Sequence, residues 1–257
     1  MQNFVTANYH THTTRCQHAW GTEREYIEAA ISMGIRELGF SDHVPCPFPD
    51  GYVSGIRMTM EQAPAYVRKI RALAREYRND IRILVGFEAE YLPEFYEEQK
   101  KLFQTLAVDY VIMGQHFWRR EDQSPGTSGF TEDESRIRTY VDLIIEGMHT
   151  GTYQYLAHPD IMNFRGMDSV YDWEMTRLCR AMKEMDIPLE INLLGIRAQK
   201  HYPNERFWKI AAETGNKVIL GIDAHCVEQF YDTAPYYKAT ELVQKYHLDL
   251  INRMKIE

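Results

Sequence analysis

His10-Thr11-His12 opens a nine-residue run, His10 to His18, that carries three imidazoles. Residues two apart in an extended segment point the same way, so His10 and His12 can reach one ion. Further along, Asp42 and His43, Glu88 and Glu90, His116, His158, and Asp223 with His225 each stand at or just past the end of a short apolar or β-branched run. Imidazoles and carboxylates crowded on one surface would cost solvation and mutual repulsion unless a cation held them together. A nitrogen and carboxylate set that needs no thiolate suits zinc, iron or manganese rather than calcium or magnesium. A single loop histidine is more often a surface or hydrogen-bonding residue, and His149, His201 and His247, within or beside helical segments, receive only that reading. The clustering of the other seven histidines is what points to metal chemistry.

Clustering requires elements that bring these positions together. Short apolar runs alternate with longer segments of helical period, the pattern of successive βα units around a parallel sheet. Seven strands are predicted near Phe4-Tyr9, Ile35-Ser41, Ile81-Glu88, Val108-Gln115, Tyr153-His158, Ile187-Leu193 and Lys217-Asp223. Helix starts are predicted at Thr22–Glu25, Thr59–Gln62 and Thr131–Glu134, each a hydroxyl followed three residues later by Glu or Gln. Val44-Arg57 and Arg119-Gly129 are the longest irregular stretches; both follow strands and are candidate rim loops. In a parallel barrel the carboxyl ends of all strands open on one face, which would collect the metal-capable residues there.

The length suits a single α/β barrel, and no repeat, low-complexity tract or composition break marks a linker, so residues 1–257 are expected to form one domain. A net charge of −8 argues against a sequence-independent grip on nucleic acid, which depends on neutralising many phosphates. The first residues lack a basic flank followed by an apolar stretch, and no apolar run approaches the roughly 18 residues needed to cross a bilayer, so a soluble cytoplasmic protein is expected. Cys16, Cys46, Cys179 and Cys226 form no C-x-x-C pair and are expected to be reduced thiols.

The motifs HTH at 10–12, His18, SDH at 41–43, GFE at 86–88, GQH at 114–116, HPD at 158–160 and GIDAH at 221–225 resemble, in order, those of the polymerase and histidinol phosphatase (PHP) family. Within it the chain looks most like the monofunctional histidinol-phosphate phosphatases, through its length, HTHTTRC with HAWG, the long loop after SDHVP, and NLLGIR. The resemblance implies a distorted (β/α)7 TIM-like barrel holding three divalent transition metal ions, zinc, iron or manganese. It assigns His10, His12, Glu88 and Asp223 to one ion, Glu88, His116 and His158 to a second, and His18, His43 and His225 to a third. Glu88 would bridge the first two, with Glu90 as the alternative. Asp42 is read either as orienting a histidine or as a turn cap.

The implied reaction is hydrolysis of L-histidinol phosphate to L-histidinol and inorganic phosphate, a step of histidine biosynthesis, by attack of a metal-bridging hydroxide. Asp223 or His225 would pass a proton to the leaving alkoxide. Arg165 and Arg197 are expected to clamp the phosphate, with Arg15 behind them. Glu90 and Asp160 are candidates for the substrate ammonium group, and Phe117, Trp118 or Tyr91 for its ring. The alternatives are a PHP phosphoesterase for another small monoester or a nucleotide, and a metal-binding scaffold without activity. Oligomeric state is not addressed by the sequence.

Overall fold

A computed structural model describes residues 5–256, so Phe4 of the first predicted strand lies outside the described residues. β1 (Ala7–Asn8), β2 (Glu37–His43), β3 (Arg82–Ala89) and β4 (Tyr110–Met113) lie side by side in that order, all parallel. β5 (Leu189–Asn192), β6 (Lys217–Gly221) and β7 (Asp249–Leu250) form a second parallel group. Leu156 bridges the groups, pairing with Met113 on one side and Leu189 on the other. The ring closes at its carboxyl end, where Thr11 pairs with Ala224 through His12 N–H to Ala224 C=O at 2.9 Å and Ala224 N–H to His10 C=O at 3.2 Å. The result is a curled, irregular parallel barrel, as the sequence pattern predicts.

Three expectations need correction. Tyr153-His158 is not a strand: only Leu156 keeps ladder pairing, and the chain then turns through His158 at φ 29°. β7 is absent from the predicted set because two residues carry no period. Of the three helix starts, only Thr22 completes the reciprocal capping box, opening α1 (Glu23–Ser32). Gln62 does bond back to Thr59 N–H, but α2 (Ala63–Glu76) starts one residue later, and α4 (Glu134–His149) is capped by Asp133 instead.

The helices α2, α3 (Pro93–Leu106), α4, α5 (Asp168–Glu184), α7 (Glu205–Thr214) and α8 (Ala234–Tyr246) surround the sheet, and a five-residue α6 (Leu193–Arg197) follows β5 directly. Their apolar stripes have helical spacing: Ala63, Tyr66, Val67, Ile70 and Leu73 of α2 are all buried. Inside the barrel a separate cluster, including Tyr9, Leu84, Tyr110, Ile112, Tyr155, Ala157 and Ile219, fills the lower part. Because strand side chains alternate, the same face continues upward from Leu84 through Gly86 to Glu88, and from Ile219 through Gly221 to Asp223. An apolar plug therefore becomes a polar floor within two residue pairs.

Candidate metal centre

The β2–β3 register sets His43 beside Glu88 and Asp42 beside Phe87, and β4, the next strand, leads into the segment before His116. Gly114 is required here: a Cβ at this position would lie 1.9 Å from Glu88 Oε1. Gly221 makes the same allowance for Glu190, whose Oε2 would be 2.2 Å from an added Cβ. His158 and Asp223 both adopt positive φ, 29° and 51°, backbone states that non-glycine residues hold only when surroundings impose them. Local strain thus coincides with two of the expected ligands.

Four unpaired atoms face one another at the floor. His10 Nε2 is 3.4 Å from both Glu88 Oε2 and Asp223 Oδ1, while His12 Nε2 is 3.5 and 3.2 Å from the same two oxygens. All four atoms are buried without a hydrogen-bond partner. Tetrahedral bonds of about 2.0–2.1 Å place ligand atoms about 3.3 Å apart, so these separations are what one shared divalent ion requires. Burial alone would pull His12 down, but its contacts with Asp223 and Asp42, and the charges of Asp223 and Glu88, lift it to about 9. His10 is likewise raised against burial, chiefly by the charges of Asp223, Glu190 and Glu88. Burial opposes ionisation of Glu88 and Asp223, yet the imidazoles hold both well below the usual carboxylate range. Two carboxylates therefore demand positive charge at this point, and protons answer when no ion does.

The other oxygen of Glu88 serves a second group: Oε1 lies 2.9 Å from His158 Nε2 and 3.4 Å from His116 Nε2. The carboxylate spans two imidazole pairs, the geometry of a bridge. In the third group His225 Nε2 is 3.1 Å from His18 Nε2. His18 Nδ1 donates to the Cys16 carbonyl and His225 Nδ1 to the Asp223 carbonyl, leaving two lone pairs pointed at each other. Burial and then the charge on His12 lower both imidazoles, His225 to about 3, so neither supplies a proton. His43 joins them, with ligand atoms of all three within 4.8 Å, and its Nδ1 also approaches Glu88 Oε2 at 3.1 Å. Cys16, unforeseen as a neighbour, groups with His12 and His225; burial and then Asp42 push its thiol up to about 12.

Carboxylates orient these imidazoles from behind. Glu190, which sequence reasoning missed, accepts from His10 Nδ1 at 2.9 Å, and Asn192 Nδ2 links it to Asp223 at 2.7 and 3.0 Å. A glutamate inside the apolar run Leu189–Asn192 was the available signal. Asp42 accepts from Thr13 N–H and His43 N–H and so caps a turn, while His12 Nδ1, 3.5 Å away, is close enough for charge attraction but makes no hydrogen bond. Such outer partners fix ring orientation in metal sites.

The substrate-side expectations fare less well. Glu90 neither bridges nor faces the mouth: it is buried, paired with Arg57 at 3.0 Å, and accepts from His116 Nδ1 at 3.1 Å. Asp160 is buried too, accepting from Trp208 Nε1 and capping the chain at Asn204. Above the metal-capable groups opens a mouth of about 450 Å³ whose wall includes Trp20, Ile56, Phe117, Ser128, Leu194 and Tyr202. Phe117 is where it was expected, whereas Trp118 packs into the core and Tyr91 is buried with its hydroxyl on Glu146. None of Arg15, Arg165 and Arg197 lines this mouth. Arg15 is bound to Glu23 at 2.6 Å, Arg165 is exposed with Nε on Asn163, and Arg197 pairs with Asp232 at 3.1 Å. Strand-end proximity in sequence does not fix the direction of a long side chain.

A family model described as the PHP domain matches residues 8–193. A probable histidinol-phosphatase of Deinococcus radiodurans is 31% identical over 232 residues, spanning 84% of this chain and 85% of that protein. The histidinol-phosphatase of Lactococcus lactis is 23% identical over 265 residues, spanning 97% and 96%. Among solved structures, histidinol phosphate phosphatase from Lactococcus lactis, complexed with zinc, L-histidinol and phosphate, shares the fold with a TM-score of 0.72 at 18% identity, covering 97% and 98% of the two chains.

Proposed function

The chain belongs to the PHP domain family, and on that premise we propose that it hydrolyses L-histidinol phosphate to L-histidinol and inorganic phosphate with three divalent transition ions, zinc, iron or manganese. The observation that carries this reading is the Glu88 carboxylate set between two imidazole groups, with the His18–His43–His225 group alongside, at the floor of one mouth. His10, His12, Glu88 and Asp223 would hold one ion, Glu88, His116 and His158 the second, and His18, His43 and His225 the third. Bound there, such ions neutralise phosphate oxygens and bring the pKa of water from about 15.7 toward about 7.

The chain's own groups do the rest. Asp223, ionised and facing the mouth, can accept the proton of the attacking water and return it to the departing alkoxide. His225, neutral and tied through Nδ1–H to the Asp223 carbonyl, keeps its Nε2 toward the third position instead. With no arginine in the wall, the phosphate charge has to be met by the floor. Arg197 acts at one remove: Nη2 bonds the Gln229 carbonyl, and Nη1 is buried without a partner. Trp20, Phe117 and Tyr202 supply aromatic rings and Ile56 an aliphatic side chain for contact with an imidazole ring, while the mouth has the volume usual for small ligands.

The test is metal content and turnover in one purified sample, comparing L-histidinol phosphate with a generic aryl phosphate. Preferential release of phosphate from the former, abolished by chelation and restored by manganese or zinc, is expected. Equal use of both substrates would remove the assigned specificity. Asp223→Asn reloaded with metal should lose at least about 100-fold in kcat, in the range of general acid–base effects; a rate near wild type would end the proton role. An unchanged KM in Arg197→Ala would show that its hold on the Gln229 carbonyl has no bearing on the mouth.

A further inference from the structure

Arg57 belongs to the irregular stretch between β2 and α2, yet it is only 3% exposed. Each guanidinium nitrogen is engaged. Nη1 and Nη2 donate to the two oxygens of Glu90 at 3.0 and 3.1 Å, Nη1 also to the Val44 carbonyl at 3.0 Å, and Nε to Glu121 at 2.7 Å. Glu90 in turn accepts from His116 Nδ1, so that His116 Nε2 faces Glu88 Oε1 at 3.4 Å. The Arg57 and Ser54 carbonyls both accept from Gln17 Nε2, at 3.0 and 2.8 Å. Three rim segments, 14–20, 44–57 and 119–129, therefore meet around one residue. Its neighbour Ile56 and the ligand's neighbour Phe117 both form the wall of the mouth.

Burying a guanidinium with two carboxylates gains little over an apolar trio of similar volume, because desolvation offsets the Coulomb attraction. Stability therefore does not account for this arrangement, whereas its connections do. We propose that Arg57 is a positioning residue: it fixes Glu90 on His116 Nδ1 and ties down loops 44–57 and 119–129, so that the second metal position and the organic wall of the mouth are assembled together. The inference rests on His116 being a metal ligand, as in the proposed function. A mere loop staple would affect stability and loop mobility and leave metal affinity alone.

The experiment titrates manganese into chelator-treated protein and follows hydrogen exchange in the two loops. Neither measurement needs a substrate, so failure to hydrolyse histidinol phosphate and failure of this coupling are separate results. Arg57→Lys keeps a charge but cannot reach Glu90, Glu121 and Val44 at once. One manganese equivalent is expected to bind roughly 10–100-fold more weakly, the usual cost of losing an outer partner, with faster exchange in both loops. Glu121→Ala leaves the Glu90–His116 contact intact and touches only the loop tether. It should still weaken the same equivalent several-fold, because Arg57 loses its Nε anchor. In the wild-type protein, manganese should slow exchange in both loops over one concentration range. Unchanged manganese affinity in a folded Arg57→Lys protein, or in Glu121→Ala with an opened loop, overturns the proposal. Independent responses of the two wild-type loops to manganese overturn it also, even if neither variant folds.

Discussion

At the level of single residues the imidazoles divide by electrical role. His10 and His12, wedged between Asp223 and Glu88, are lifted, His12 to about 9, whereas His18, His43 and His225 are lowered. An ion entering the first group must displace protons; one entering the third meets free lone pairs. The sign follows from the shift: stabilisation from protonated His12 is complete below the unfolded value near about 6.5 and is lost as pH rises through about 9. Manganese binding at the first group gains over the same interval. At pH 7.5, calorimetry in two buffers of different ionisation enthalpy should show one to two protons released per loaded chain, falling above pH 9; no release at pH 7.5 would contradict this charge distribution. Histidine, with ten copies, is scarce enough in the sequence to stand out at strand ends. Arg57 was not legible, because an arginine in a loop carries no sign of what it will touch, and Glu190 inside its strand run signalled a buried charge without showing its partner.

At the level of elements, register does the positioning. β3 presents Glu88 upward only because the residue immediately past its partner strand β4 is a glycine, Gly114, where an added Cβ would sit 1.9 Å from Glu88 Oε1. Gly114→Ala should therefore push the Glu88 carboxylate aside, costing about 1–3 kcal/mol of stability as overpacking usually does, and should lower bound metal disproportionately. Urea unfolding and metal analysis on one preparation check this; full metal content at the wild-type rate would mean that Glu88 has slack elsewhere. Strands β2, β3 and β6 were readable from their apolar runs. The segment 153–158 was misread because its composition is strand-like while its outer half turns to deliver His158. β7 has too few residues for any pattern, and its pairing with Lys217 and Val218 is a tertiary outcome.

For the molecule as a whole, no helix among the described residues is long and apolar enough to cross a membrane, and the fold is held at its open end by contacts between its first and sixth strand segments. Ions held there, as proposed, would join distant parts of the chain. With free manganese at 100 times its dissociation constant, one site adds about 2.7 kcal/mol. For a chain of this size that corresponds to a rise in Tm of roughly 5–10 °C over the chelated protein. A melting curve indifferent to both manganese and zinc would deny the linkage. The closure also orders events in time. His18 and His225 meet across 207 positions of sequence, so a nascent chain still lacking its sixth strand holds most of its histidines, yet of the three groups only Glu88, His116 and His158 has all its members. Loading of the groups that need Asp223 or His225 would therefore wait until synthesis has passed residue 225, and a product interrupted before that point would expose loose imidazoles able to scavenge whichever ion the cell offers first.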